Sequence, residues 1–252
     1  MSETQSLERE IFWAVHNDLP REGPGDDEST LRAFSMMKGL PDSPRVLDIG
    51  CGAGPQTLAL ARLTNANIMA VDTHQPFLDE LARKVVQAGL AERVRWKNMS
   101  MFELSFPERF DVLWSEGAIY AMGFAEGLKA WYPLLKPGGY VAVTEISWLA
   151  PGVPSEAFSY WNAEYPGMRS VEENFERLQK AGYRPVGHFT LPESAWWEPY
   201  YSPMKARIAQ LREKYRANAA AQALLDASAK EIEMYRKYSA WYGYEFYVMQ
   251  VA

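Results

Sequence analysis

Three glycines and four carboxylates carry most of the chemistry this sequence offers. The stretch Asp48-Ile49-Gly50-Cys51-Gly52-Ala53-Gly54 follows an apolar pair, Val46-Leu47, and precedes a helical pattern that begins with Pro55. Glycines let a backbone turn tightly and come close to a ligand, and a helix N-terminus offers free N–H groups to an anion. Asp72 ends the next apolar stretch, twenty residues after Gly52. A carboxylate at that place can accept from both hydroxyls of a ribose. Glu116 and Glu145 end two later apolar stretches. Either could deprotonate an acceptor O–H, N–H or C–H if burial raised its pKa. Equally, Glu116 could hold a ligand's ammonium group, and Glu145 could cap a loop or pair with an arginine.

The elements that must position these groups follow from hydrophobic spacing. Val46 to Ile49, Ile68 to Val71, Val94 to Met99, Phe110 to Ser115 and Tyr140 to Ile146 read as strands. Helical patterns separate them, at Pro55 to Leu63, at Phe77 to Ala88 and at about Phe124 to Leu135, with the turn Lys136-Pro137-Gly138-Gly139 before the fifth strand. Strands alternating with single helices imply a parallel sheet covered on both faces. Beyond Trp148 the rhythm loosens. A helix is predicted over Val171 to Ala181, a strand over Arg184 to Leu191, two long helices through Met204 and Leu225, and a final strand over Tyr244 to Val251. The expectation is an α/β, Rossmann-like, mostly parallel seven-stranded sheet. An N-terminal helical lid spans residues 1–40, a core 41–150, and a remainder 151–252 carries a helical cap insertion at about 192–242.

Composition bounds the function. In 252 residues, 26 Lys plus Arg face 32 Asp plus Glu, a formal charge of −6. That balance argues against wrapping a phosphate backbone, which needs a clustered positive surface. The single cysteine, Cys51, forms no internal disulfide and no zinc cluster. No apolar run reaches the length of a membrane helix, and Met1 to Arg9 lacks the apolar core of a secretory signal. A cytoplasmic protein acting on a small molecule, without nucleic acid, membrane or metal, is expected. Oligomeric state is left open, a homodimer included.

Two ligand classes suit a glycine loop with a partner acid: dinucleotides and S-adenosylmethionine. The dinucleotide fingerprint is G-x-G-x-x-G, whereas this loop is G-x-G-x-G with Pro55 at the third-glycine position. Asp48 would repel a pyrophosphate and favour a sulfonium or ammonium. These stretches, with Val71-Asp72, Phe110-Asp111-Val112 and Leu135-Lys136-Pro137-Gly138-Gly139, resemble the class I S-adenosylmethionine-dependent methyltransferases. The likeness points to the branch that includes the ubiquinone/menaquinone-biosynthesis C-methyltransferases, and covers about residues 45 to 146.

The resemblance implies that Gly50, Cys51, Gly52 and Gly54 line the methionine portion of S-adenosylmethionine, with Asp48 steering its amino group. Asp72 would hold the ribose and Thr73 lie beside the adenine. The family commonly has an acid where Ser100 stands, so Ser100, the Met101 backbone and the Phe102 ring would share the adenine contact. Ser115 and Glu116 would lie beside the sulfur and the methionine tail. His16 belongs to an N-terminal segment that in relatives often folds over the cofactor, and it joins Glu116, Glu145 and Tyr120 as a candidate catalytic side chain. The family's Asn-Pro-Pro-Tyr run, a cysteine for cytosine chemistry and the ligands of a magnesium site are all missing from the fourth-strand end.

The later part is rich in rings: nine of the 14 tyrosines lie beyond Gly182. Trp196-Trp197-Glu198-Pro199-Tyr200-Tyr201 precedes the inserted helices, and Trp148 ends the fifth-strand region. Trp148, Trp196, Trp197, Tyr200 and Tyr201 could enclose an apolar acceptor or, by cation–π attraction, a cationic amine. They could equally pack the cap onto the sheet. The expected activity is methyl transfer to a small molecule, with an NAD-dependent oxidoreductase and a non-catalytic S-adenosylmethionine-binding protein as alternatives.

Overall fold

In a computed structural model the described residues are 3–252, so residues 1 and 2 of the expected lid lie outside them. Five strands form the parallel part of the sheet: β1 (Arg45–Ile49), β2 (Asn67–Asp72), β3 (Val94–Asn98), β4 (Phe110–Ser115) and β5 (Leu135–Trp148). Two more, β7 (Tyr183–Thr190) and β8 (Tyr242–Val251), add to it antiparallel, giving the order β3-β2-β1-β4-β5-β8-β7. The mostly parallel Rossmann-like arrangement inferred from spacing is present. The sheet has eight strands rather than seven, because the two-residue β6 (Arg169–Ser170) pairs parallel with the end of β5.

Alternation along the strands assigns the faces. Val46, Ile68, Val112 and Ala142 pack under α2 (Asp27–Ser35), α3 (Pro55–Leu63) and α4 (Gln75–Gln87). Their neighbours Leu47, Leu113 and Val141 pack against α5 (Phe124–Trp131) and α7 (Val171–Lys180) on the other face. α5 stops at Trp131, short of the expected Leu135. A 3-10 turn, Tyr132–Leu134, takes over because Pro133 has no N–H to continue the ladder. β5 begins before the expected turn. Phe110 pairs with Leu135 and Val112 with Tyr140, so Lys136 to Gly139 bulge out of register. Lys136 Nζ lies 2.9 Å from both oxygens of Asp111, fixing that bulge to β4.

A third cluster of apolar residues forms the cap. α1 (Glu3–His16) buries Ile11 and Val15 against Ile208 and Leu211 of α9 (Ser202–Lys214) and Leu225 and Ile232 of α10 (Ala219–Tyr238). A single turn, α8 (Ser194–Trp196), runs through a π-helical stretch, Trp197–Tyr201, into α9. α6 (Ser155–Glu164) fills the stretch where the sequence rhythm loosened and contributes Ala157 to this cluster. The N-terminal chain therefore reaches the sheet's carboxyl ends from two sides, through α1 and through the strap from Leu19 to α2.

Candidate functional site

Two adjoining cavities lie at the carboxyl ends of β1, β2, β4 and β5, the usual ligand position in open α/β sheets. The first, about 260 Å³, is built around the glycine loop. Gly50, Gly52 and Gly54 have φ of +72°, +55° and +77°, left-handed conformations that L side chains rarely adopt. Their roles differ. A Cβ on Gly50 would come within 2.4 Å of the Ala118 Cβ, and one on Gly54 within 2.2 Å of Leu81 Cδ1. Those two glycines permit close packing, whereas a Cβ on Gly52 would meet only the mobile end of Glu22, its Oε2 at 2.5 Å.

Asp72 is oriented by main-chain donors. Gly52 N–H donates to its Oδ2 at 3.0 Å and His74 N–H to its Oδ1 at 2.8 Å. Cys51, Thr73 and Met101 also line this cavity, together with Phe12, Trp13 and Phe77 from the flanking helices. Trp13 stacks on His74 with centroids 3.7 Å apart and planes 12° from parallel, so α1 closes one side. No local pattern in the sequence marks Trp13; only the docking of α1 brings it there.

Several expected contacts fall elsewhere. Asp48 is fully buried beneath the loop and absent from the cavity wall. Its carboxylate accepts from Thr57 Oγ1 at 2.5 Å and Gln56 Nε2 at 3.3 Å, and burial pushes its pKa up to about 7. Gln56 also donates to the Cys51 carbonyl, so Asp48 braces the loop from below. Ser115 is likewise enclosed, donating to the Ile49 carbonyl at 2.9 Å. Ser100 and Phe102 do not line the cavity: the Ser100 hydroxyl accepts from Phe102 N–H, and the Phe102 ring is 65% exposed.

Glu116 does border the first cavity, but its carboxylate is engaged. It accepts from Trp114 Nε1 at 2.9 Å, Thr30 Oγ1 at 2.8 Å and Arg21 Nη1 at 3.2 Å. Arg21 also pairs with Asp27. Glu116 thus ties the strap and α2 to the end of β4, instead of standing free as a base. Glu145 lines neither cavity. It accepts from Tyr165 Oη at 2.7 Å, its Oε2 has no partner, and burial raises its pKa to about 7.

The second cavity, about 370 Å³, is walled by side chains of the cap. Tyr120, Trp196, Tyr200 and His16 reach it as expected. Trp148, Trp197 and Tyr201 do not: Trp148 stacks on Phe158, Trp197 packs against Tyr201 and Tyr235, and the buried Tyr201 donates to Glu231 at 3.0 Å. His16 Nδ1 bonds the Phe12 carbonyl and its Nε2 lies 3.1 Å from Tyr200 Oη. Burial lowers the His16 pKa, favouring the neutral ring. The residues the sequence left unmarked are Tyr160, Trp161, Glu164 and Tyr165 on or beside α6, and Glu231 on α10.

Glu22 also lacked any sequence signal beyond its turn-rich surroundings. Its Oε2 accepts from Ala53 N–H at 3.2 Å, at the start of α3, and burial raises its pKa to about 7. It belongs to both cavities, as do Phe12, Gly23, Pro24, Gly117 and Tyr120. Among the described residues no group of His, Cys, Asp and Glu could hold a metal ion, and no helix is long and apolar enough to cross a membrane.

Comparison with known proteins places this geometry. Residues 46–139 match the model of a methyltransferase domain family. The chain is 23% identical over 186 residues to a sterol 24-C-methyltransferase of Aspergillus fumigatus, covering 68% of this chain and 48% of that protein. It is 27% identical over 166 residues to the phosphoethanolamine N-methyltransferase of Triticum aestivum, covering 62% of this chain and 31% of that one. The chain thus spans about half the length, or less, of these relatives. A Geobacter sulfurreducens S-adenosylmethionine-dependent methyltransferase, solved with S-adenosyl-L-homocysteine, superposes with a TM-score of 0.82 at 18% identity, covering 96% of this chain and 98% of that one. The chain has the Rossmann-like methyltransferase fold.

Proposed function

We propose that the chain is an S-adenosylmethionine-dependent methyltransferase acting on a small molecule, with the nucleoside in the first cavity and the acceptor in the second. The observation that carries this is the shared wall of the two cavities at Phe12, Glu22 to Pro24, Gly117 and Tyr120. The residues of the first cavity suit the nucleoside. Asp72 presents a carboxylate already oriented by two amides, Gly52 faces only the Glu22 side chain, which a ligand could displace, and Trp13, Phe77 and Met101 offer apolar surface to a base. Ala53 N–H, now bonded to Glu22, is a donor suited to the ligand's carboxylate once Glu22 moves.

Charge separates this from the dinucleotide alternative. Glu22, Asp72 and Glu116 face the first cavity, and its one lining cation, Arg21, is spent on Glu116 and Asp27. Such a wall opposes a pyrophosphate and favours a sulfonium. Bound there, S-adenosylmethionine supplies an already activated methyl group, so the protein's tasks are alignment and exclusion of water. Of the four side chains expected to be catalytic, Tyr120 borders both cavities and the neutral His16 borders the acceptor cavity, paired with Tyr200. Glu116 and Glu145 are assigned to structure. The finer placement beside ubiquinone/menaquinone C-methyltransferases draws no support from the relatives described.

Calorimetry with S-adenosyl-L-homocysteine and with NAD tests the cofactor. Saturable binding of the first and none of the second is expected; the reverse would overturn the assignment. Formation of S-adenosyl-L-homocysteine from S-adenosylmethionine with a small-molecule acceptor panel separates an enzyme from a binding protein.

A further inference from the structure

The lining of the second cavity is unbalanced in charge. Three carboxylates reach it, Glu22, Glu164 and Glu231, and no lysine or arginine does. Glu231 is the most enclosed. The Tyr201 hydroxyl donates to its Oε1 at 3.0 Å, and the charge that bears on it most strongly is another acid, Glu164. A half-buried carboxylate facing a second acid, with no cation in the wall, is costly unless a positive ligand completes the site.

Most of the other large side chains in the wall are aromatic. Tyr120, Tyr160, Trp161, Tyr165, Trp196 and Tyr244 present rings from β5's partner strand, the β4 end, α6 and the turn before α9. Ring faces attract cations, most strongly where water is excluded. Tyr160 already draws one on this chain: Lys230 Nζ lies 5.5 Å from its ring centroid without entering the lining. An uncharged apolar acceptor would gain from the rings but would leave Glu231 without a counterion. An acceptor bearing phosphate or carboxylate would meet three acids and find no basic side chain.

From this pairing of rings with carboxylates, and resting on the methyltransferase reading above, we infer that the second cavity selects an organic ammonium whose body is apolar or hydroxylated and carries no phosphate or carboxylate. Glu231 is the counter-charge at its base, Glu164 marks its rim, and the tyrosine and tryptophan rings hold the remainder. Before such a nitrogen can accept a methyl group, the ammonium must pass one proton to a base, leaving a neutral amine and a protonated acid. Glu231, whose pKa burial has raised, is suited to receive that proton.

The test is binding of choline, of its uncharged carbon analogue 3,3-dimethylbutan-1-ol, and of phosphocholine, followed by calorimetry with the full chain saturated in S-adenosyl-L-homocysteine and repeated without it. Choline is expected to bind at least tenfold more tightly than the alcohol, and phosphocholine more weakly than choline. Glu231→Gln keeps an oxygen for the Tyr201 hydroxyl, so the fold is retained; it should cost choline tenfold and leave the alcohol and S-adenosyl-L-homocysteine unchanged. Equal binding of choline and the alcohol, tighter binding of phosphocholine, no binding of any of the three, or no effect of Glu231→Gln would overturn the inference. Failure to bind S-adenosyl-L-homocysteine would instead overturn the methyltransferase reading, and the choline comparison on the unliganded chain would still decide the charge preference of the cavity.

Discussion

The two cavities share a wall yet are made of different material. The first is centred on main chain: a loop bent through three left-handed glycines, the start of α3, and one aspartate oriented by amides, with side chains of the strap and flanking helices around it. The second is almost wholly side chain, gathered from α1, α6, the turns before α9, α10 and β8. A cavity made from backbone is rigid and accepts few substitutions, because each residue there is chosen for the conformation or the space it allows. A cavity made from side chains can be reshaped ring by ring without disturbing the sheet. The contrast suits a constant ligand in one and a variable ligand in the other.

Substitutions can break or sharpen that contrast. The largest loss is expected for Gly54→Ala. A left-handed alanine costs about 1–2 kcal/mol, and driving its methyl into Leu81 costs roughly 1–3 kcal/mol more. Urea denaturation should show both as a lower midpoint with unchanged slope. Next comes Glu116→Ala, which takes the buried Arg21's carboxylate partner at the β4 end, leaves Trp114 Nε1 without its acceptor and should cost about 3 kcal/mol. Limited proteolysis should then cut the strap near Gly23. A variant that keeps its stability but loses all turnover would return Glu116 to the role of base.

Asp72→Ala should weaken nucleoside binding by about 1–3 kcal/mol in calorimetry, through loss of a charged acceptor. Unchanged affinity would mean the ribose is held elsewhere. Tyr160→Ala belongs to the other cavity and should raise the acceptor KM by about tenfold at most, in line with roughly 1 kcal/mol for one ring, while nucleoside affinity stays constant. Equal damage to both affinities would erase the distinction between the cavities.

A pH-dependent effect concerns Glu22. Burial raises its pKa from 4.5 to about 7, so the folded chain binds more protons than the unfolded chain between those values. Stability from this group therefore falls as pH rises through that window. Glu22→Gln abolishes the titration, so the stability difference between variant and wild type should grow in the variant's favour from pH 5 to pH 8. Buried His16 pulls the opposite way in the same range, but equally in both proteins. A difference independent of pH would show that Glu22 titrates normally.

The sheet and the first cavity were legible because their determinants are local. Val46-Leu47, the glycines and Asp72 lie within one strand-helix-strand unit, and their spacing alone fixes which strand ends meet. Local spacing does not report which way a side chain turns, so Asp48 and Ser115, correctly placed at strand ends, face the interior rather than the ligand space. The second cavity joins His16 of α1 to Tyr200 across 184 positions and brings Glu164 and Glu231 to one wall, a proximity that no periodicity encodes. α6 escaped notice for a related reason: only Ala157 of its ten residues is buried, so it has little apolar stripe to read.

Glu22, Gly23 and Pro24 form a partition rather than a lid over either chamber alone. With Arg21 anchored on Glu116 and Asp26 capping α2, this partition has little freedom to yield toward both sides at once. In the proposed reading, lifting Glu22 from Ala53 to admit the nucleoside would alter a wall that both chambers share, so occupancy of one chamber should change the affinity of the other.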